Sequence, residues 1–211
     1  MISLFLDTHS KDLNIGLVNN EKLLGEVKIK DLETHSNLFL CKVEEILKNN
    51  NLLPNDVDKI IVVNGPGSFT GIRIAVTVAK VYAFSLKKEI VTISSLEAYA
   101  LSTKDADYVV PIIDARRGFV YSAIYDKNMN CILENSYINL EELKYKVDSL
   151  SGKIQYVGYG NFKDVKVIEP DLDILKIVDY CKNKQSLNAH YVNPNYLKKT
   201  EAEENRDKTS K

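Results

Sequence analysis

Cysteine, histidine and net charge are all scarce in this chain of 211 residues, and each scarcity removes a class of protein. The three cysteines, Cys41, Cys131 and Cys181, are odd in number and far apart, so they suit a reducing cytoplasm better than a disulfide framework. The three histidines, His9, His35 and His190, share no local ligand spacing, so no zinc or iron site can be argued. Lysine and arginine total 28 against 29 acidic residues, leaving a formal net charge of −1. That balance argues against gripping nucleic acid by bulk electrostatics, and any RNA contact must be local or indirect. A basic segment, an apolar leader and a small-residue cleavage site are also missing before the first strand pattern, so a cytoplasmic protein is expected. The length is enough for a buried core without staples.

What the chain does contain is a repeated order of elements. Strand patterns at 2–6, 13–18 and 22–29 are joined by short polar connections and read as a meander of hairpins. A helical pattern follows at 35–49, then a strand at 59–63, a glycine-rich turn, a helix at 68–86 and a strand at 89–93. After a helix at 95–103 the series begins again, with strands at 108–113, 119–125 and 131–137, a helix at 140–150 and a strand at 154–159. The α/β chain therefore divides into two βββαβ units, residues 1–103 and 104–198, the second reduced, with little between the strand near Val165 and a charged, frayed tail at 199–211. Asp7 and Asp114 each end the first strand of a unit, which suggests two acids facing one cleft, although such aspartates often only cap turns.

The turn itself reads Asn64-Gly65-Pro66-Gly67-Ser68-Phe69-Thr70-Gly71-Ile72-Arg73. Strand, glycine turn and helix start can present backbone N–H groups to an anion, or let another segment come close. A phosphate loop would need lysine and a hydroxyl after Gly71, where Ile72 and Arg73 stand. A nucleophile elbow would need the serine centred between glycines, whereas Ser68 directly follows Gly67. Ser68 is better read as a helix cap.

The helix that follows is apolar on nearly every side, with Arg73, Lys80 and Lys87 as its narrow polar stripe. Those charges argue against a membrane span, so a sheet on one side and a partner on the other would cover the helix. Ala75, Ala79 and Ala83, beside Val76, form a row that would admit a neighbouring helix closely. On the earlier helix Phe39, Leu40, Val43, Ile46 and Leu47 should face the sheet, leaving Thr34, Leu38, Cys41 and Glu45 at heptad spacing on another arc. With His35, Arg73 and Lys80, these residues make the expected partner surface. The bland alternative is a helix buried wholly in its own domain, with Leu38 and Cys41 as ordinary surface apolars.

Four segments together are similar to one family: the glycine turn, Ile113-Asp-Ala-Arg-Arg-Gly118 with Val120-Tyr121, Val157-Gly-Tyr-Gly160, and Pro194-Asn-Tyr-Leu-Lys-Lys199. They resemble the bacterial TsaB family, also called YeaZ. The resemblance implies a duplicated ribonuclease H-like or actin-like ATPase (ASKHA) fold. It also implies a non-catalytic scaffold or activator that pairs with a catalytic paralogue, TsaD, and with the ATPase TsaE. That complex forms N6-threonylcarbamoyladenosine at position 37 of tRNAs reading ANN codons and meets tRNA mainly as a complex; a homodimer is implied when the partner is absent. ATP or ADP and magnesium would enter only through the complex, with no catalytic residue and no metal in this subunit. Where the paralogue carries His-x-x-x-His, this chain has His35-Ser-Asn-Leu-Phe39. A vestigial nucleotide cleft would involve Asp7, Thr8, Ser10, Asp114, Gly158 and Gly160. His9 and Phe119 depart from the family pattern, the first placing a ring where a phosphate needs room and the second removing a carboxylate. The competing functions are a stand-alone ATP-dependent kinase or ATPase, and a metallopeptidase.

Overall fold

The computed structural model describes residues 1–31 and 36–198, with the side chains of residues 36 and 37 left undescribed. Three strands, β1 (Ile2–Asp7), β2 (Leu13–Asn19) and β3 (Lys22–Ile29), run antiparallel, and two more, β4 (Lys59–Val63) and β5 (Glu89–Ile93), add in parallel beyond β1. The parallel neighbours need crossovers, supplied by α1 (Ser36–Asn49) and α2 (Phe69–Leu86). The sheet order is β3-β2-β1-β4-β5. After α3 (Ser95–Leu101), strands β6 (Tyr108–Asp114), β7 (Phe119–Asp126) and β8 (Cys131–Asn139), helix α4 (Leu140–Asp148), and strands β9 (Ile154–Tyr159) and β10 (Val167–Ile168) repeat the plan. Read from its own meander edge, the second sheet runs β8-β7-β6-β9-β10, the same order as the first.

Three cores follow from this layering. Helices α1 and α2 cover one face of the first sheet, and α4 covers the far face of the second. Between the sheets, Leu96, Tyr99 and Leu101 of α3 join Phe5, Ile61 and Val91 of one sheet to Val109, Tyr125 and Val157 of the other. Ser94 and Glu97 form a capping box that starts α3 at the first sheet's edge. The inter-sheet core also contains a helix absent from the sequence reading, α5 (Ile174–Cys181), whose Ile174, Ile177, Val178 and Cys181 are buried. The residues after β10 therefore return to the first sheet: a Cβ on Gly16 of β2 would meet Ile174 at 2.3 Å. Further on, Leu187 N–H donates to the Ile90 carbonyl (2.8 Å) and Asn195 N–H to that of Asn64 (2.7 Å).

Two helix faces differ from the sequence expectation. Leu40 does not pack on the sheet; it is 59% exposed, while Phe39, Val43, Ile46 and Leu47 close that face. Ala75, Val76, Ala79 and Ala83 point inward and are buried in the first sheet's core, so the small residues draw α2 onto its own sheet rather than onto a neighbouring helix. Phe69, Val81 and Phe84 are the large apolar α2 side chains left exposed. Among the described helices only α2 is long and apolar enough to cross a membrane, and it lies packed on β1, β4 and β5.

Candidate functional site

The glycine turn meets the β1–β2 hairpin backbone to backbone. Ser68 N–H donates to the His9 carbonyl (2.7 Å), and the Thr8 hydroxyl donates to the Gly71 carbonyl (2.7 Å). A Cβ on Gly67 would lie 2.3 Å from the His9 carbonyl oxygen, and one on Gly71 only 1.9 Å from that of Thr8. Ser68 caps α2 by accepting the Gly71 N–H (3.2 Å). The N–H groups of Ser68 and Gly71 are committed inside the protein, and Gly67 and Gly71 let the turn come close to the hairpin backbone.

Beneath that contact the His9 ring is buried, with Nδ1 2.6 Å from Asp7 Oδ1 and Nε2 2.7 Å from the Tyr99 hydroxyl. Asp7 also accepts from the His9 backbone N–H (2.9 Å) and from Asn14 Nδ2 (3.0 Å). Burial by itself would raise the Asp7 carboxyl, but attraction to His9 and the hydrogen bonds from His9 and Asn14 outweigh it, so Asp7 titrates below its ordinary value. Burial, then the Asp7 charge, pushes the Tyr99 hydroxyl well above its ordinary value and keeps it protonated. Across the sheets the Tyr159 hydroxyl bonds to the Asp12 carboxylate. The space left among His9, Asn14, Tyr99, Tyr159 and Leu172 is about 30 Å³, room for about one water.

A nucleotide does not fit those residues. Of the six cleft positions expected from the sequence, Asp7, Thr8 and Ser10 come together, yet Asp7 is tied to His9, Thr8 to Gly71, and Ser10 accepts the Asp12 N–H of its own turn (3.0 Å). Asp114 is exposed and caps the β6–β7 turn by accepting the Arg116 N–H (2.8 Å), whereas Asp7 is buried. Gly158 makes room for β6, since a Cβ there would sit 1.9 Å from the Ile112 carbonyl oxygen. At Gly160 an added Cβ would strike the Phe162 ring at 2.8 Å. Asn14, Tyr99 and the Asp12–Tyr159 bridge carried no motif; only Tyr159 lay inside a segment singled out beforehand. Among the described residues no three His, Cys, Asp or Glu side chains are grouped to hold a metal.

Because the Asp7 value is depressed in the folded state, its stabilisation is complete above the ordinary carboxylate range near pH 4 and is lost as pH falls through the folded value. Asp7→Asn is expected to destabilise the protein by about 2 kcal/mol at neutral pH by leaving His9 without its carboxylate. The gap between wild type and variant should narrow as pH falls below about 4, as read from urea unfolding at neutral and acid pH.

The second feature is a groove between α1 and α2. Phe39 forms its base, and Leu40, Phe69, Ile74, Thr77 and Val78 line about 440 Å³ of open, mostly apolar space. At one end Arg73 lies 3.7 Å over the Phe69 ring and donates from Nε to the Tyr196 hydroxyl (2.7 Å), while Tyr196 stacks on Phe69 at 5.2 Å. Leu38, Cys41 and Glu45 are exposed on the α1 flank. Lys80, on the other side of α2, donates to the His190 carbonyl (3.2 Å). Thr34 and His35 lie outside the described residues. Sequence reasoning thus missed Leu40, Thr77 and Tyr196 as surface residues. It had noticed Ile74 and Val78 only as part of an all-round apolar pattern.

Two equivalent sheets with helices in three layers define a duplicated actin-like α/β fold. A family model described as TsaD, tRNA N6-adenosine threonylcarbamoyltransferase, matches residues 23–175, well over half of the chain. The tRNA threonylcarbamoyladenosine biosynthesis protein TsaB of Bacillus subtilis (strain 168) is 29% identical over 96% of both chains, and that of Escherichia coli (strain K12) is 28% identical over 74% of this chain and 71% of the relative. A Pseudomonas aeruginosa structure with similarity to the peptidase YeaZ superposes with a TM-score of 0.82 at 24% identity, covering 93% of this chain and 99% of the other. A second, YeaZ from the same organism, gives 0.74 at the same identity and coverage. The chain belongs to the TsaD family, among its TsaB (YeaZ) members.

Proposed function

We propose that the chain takes part in tRNA threonylcarbamoyladenosine biosynthesis, the process for which its TsaB relatives are named, as a non-catalytic subunit. It pairs through the α1–α2 groove with a catalytic TsaD-type paralogue and works with the ATPase TsaE. The product is N6-threonylcarbamoyladenosine at position 37 of tRNAs reading ANN codons. The observation that supports this reading most is the exposed groove of Leu40, Phe69, Ile74 and Val78, an apolar surface of the kind that marks protein contacts. It lies on the same two helices whose sequence pattern called for a partner. The small space around His9, with room for about one water, supports the non-catalytic part: ATP or ADP and magnesium act through the complex, not in this subunit's own cleft. In the absence of the paralogue, a second copy covers the same groove. We place the complex in the cytoplasm.

Co-expression with the paralogue tests the reading. The tagged full-length chain should retain the paralogue stoichiometrically, and failure to retain it would overturn the proposal. Titration of the isolated chain with millimolar magnesium-ATP should be calorimetrically flat, and metal analysis should find no stoichiometric ion. Heat of binding would favour the ATPase reading, and bound metal the peptidase reading.

A further inference from the structure

The β6–β7 turn carries two adjacent arginines that nothing in the subunit role just proposed accounts for. The chain has four arginines in all, and Arg116 and Arg117 stand together at the tip of this turn. Both are exposed, and both hold positive φ, 68° and 55°, followed by Gly118 at 77°. Side-chain-bearing residues rarely adopt that conformation, and two in succession are held only where the surroundings fix them. Here the surroundings are hydrogen bonds: Asp114 Oδ1 accepts the Arg116 N–H (2.8 Å), the Arg116 carbonyl accepts the Phe119 N–H (3.1 Å), and the Gly118 carbonyl accepts the Leu140 N–H (2.9 Å). The turn is therefore a rigid mount for two guanidinium groups.

Neither guanidinium has an ion-pair or ring partner among the described residues. The acids at the start of α4, beside the turn, are already engaged: Glu141 pairs with Lys144 (3.1 Å) and Glu142 with Lys146 (3.5 Å). Behind the arginines, on one face of the hairpin, Phe119 stacks on Tyr137 (4.8 Å, 12°), Tyr121 tilts against Tyr137 (5.7 Å), and Lys198 Nζ lies 5.5 Å from the Tyr137 ring centre. All three rings are partly exposed.

Uncompensated arginines in front of partly exposed aromatic rings are the combination that binds single-stranded RNA, the guanidinium groups taking phosphates and the rings taking unstacked bases. We infer that the β6–β7 hairpin, through Arg116, Arg117, Phe119, Tyr121 and Tyr137, contacts the phosphate backbone and an unpaired loop of the tRNA substrate. The near-zero net charge of the chain is compatible with this, because the contact is local. The inference rests on the proposed role in tRNA modification. It assigns this subunit a direct part in holding the RNA, in addition to docking the catalytic partner.

Arg116→Asn/Arg117→Asn tests it, since asparagine tolerates positive φ and preserves the turn while removing both charges. Ultraviolet crosslinking of tRNA to the full-length chain, alone and with the paralogue, should map to the peptide spanning residues 114–122 and be lost in the double variant. In the assembled complex, tRNA affinity should fall on the order of tenfold, and the slope of log affinity against log salt should drop by about 1.5. Arg116→Lys/Arg117→Lys keeps the charge and should keep the salt slope. Unchanged tRNA binding and crosslinking in the asparagine variant would overturn the inference. So would loss of paralogue retention with tRNA binding intact, which would make this an acidic protein contact. Failure of wild type to retain the paralogue while the crosslink persists would sink the subunit reading and leave the RNA contact standing.

Discussion

Gly71→Ala is expected to destabilise the protein by about 4 kcal/mol and to lower its melting temperature on the order of 10 °C. The added Cβ would stand 1.9 Å from the Thr8 carbonyl oxygen, a backbone atom that cannot rotate away. Relief requires α2 and the β1–β2 hairpin to separate, which sacrifices the Ser68-to-His9 and Thr8-to-Gly71 hydrogen bonds and loosens the cover over the buried Asp7–His9 pair. Gly118→Ala is the contrast. Nothing lies within 4 Å of a Cβ there, so only the cost of a positive φ remains, about 1 kcal/mol. Thermal unfolding of the two variants side by side separates close approach from conformational freedom as the reason for the glycine.

Ile74→Glu is expected to abolish pairing with the catalytic paralogue while leaving the subunit folded. Ile74 lines the groove and is only partly buried in the isolated chain, so a glutamate can reach water and costs about 1 kcal/mol of stability. At the centre of a docked interface the same carboxylate is desolvated without a partner, a penalty of about 3 to 4 kcal/mol, or a loss of affinity of several hundredfold. Ala79→Arg would not make the same test, since Ala79 is in the core and the variant would report on folding. Tyr145→Glu on α4, exposed and on the far side of the second sheet, should pair like wild type. Retention of the paralogue, quantified after affinity capture, reads both Ile74→Glu and Tyr145→Glu.

The repeated βββαβ order was legible because each strand carries a dense apolar run closed by polar turns, and each such segment is locally complete. Asp173, Ile174, Ile177, Val178 and Cys181 held the signature of α5, a cap followed by i, i+3, i+4, i+7 spacing. Its eight residues were passed over because what stabilises them is distant: Gly16 in β2 leaves the space that Ile174 fills. The alanine row on α2 was visible as a close-approach surface, but small side chains admit a sheet as readily as a helix, and periodicity does not say which. The Asp7–His9–Tyr99 network was illegible for the same reason, since His9 and Tyr99 are 90 residues apart and meet only once both sheets are built. Asp114 looked equivalent to Asp7 by position in the repeat. Only its exposure and its bond to the Arg116 N–H distinguish it as a turn cap.

The central claim is that the subunit acts through its α1–α2 groove and not through its own cleft. Threonylcarbamoyladenosine formed on tRNA by the reconstituted system, with Ile74→Glu compared to Tyr159→Phe, which alters the space around His9, tests that claim most directly. The account predicts that Ile74→Glu reduces product to the level seen without the subunit, while Tyr159→Phe supports wild-type formation. Full activity of Ile74→Glu together with loss of activity in Tyr159→Phe would contradict it.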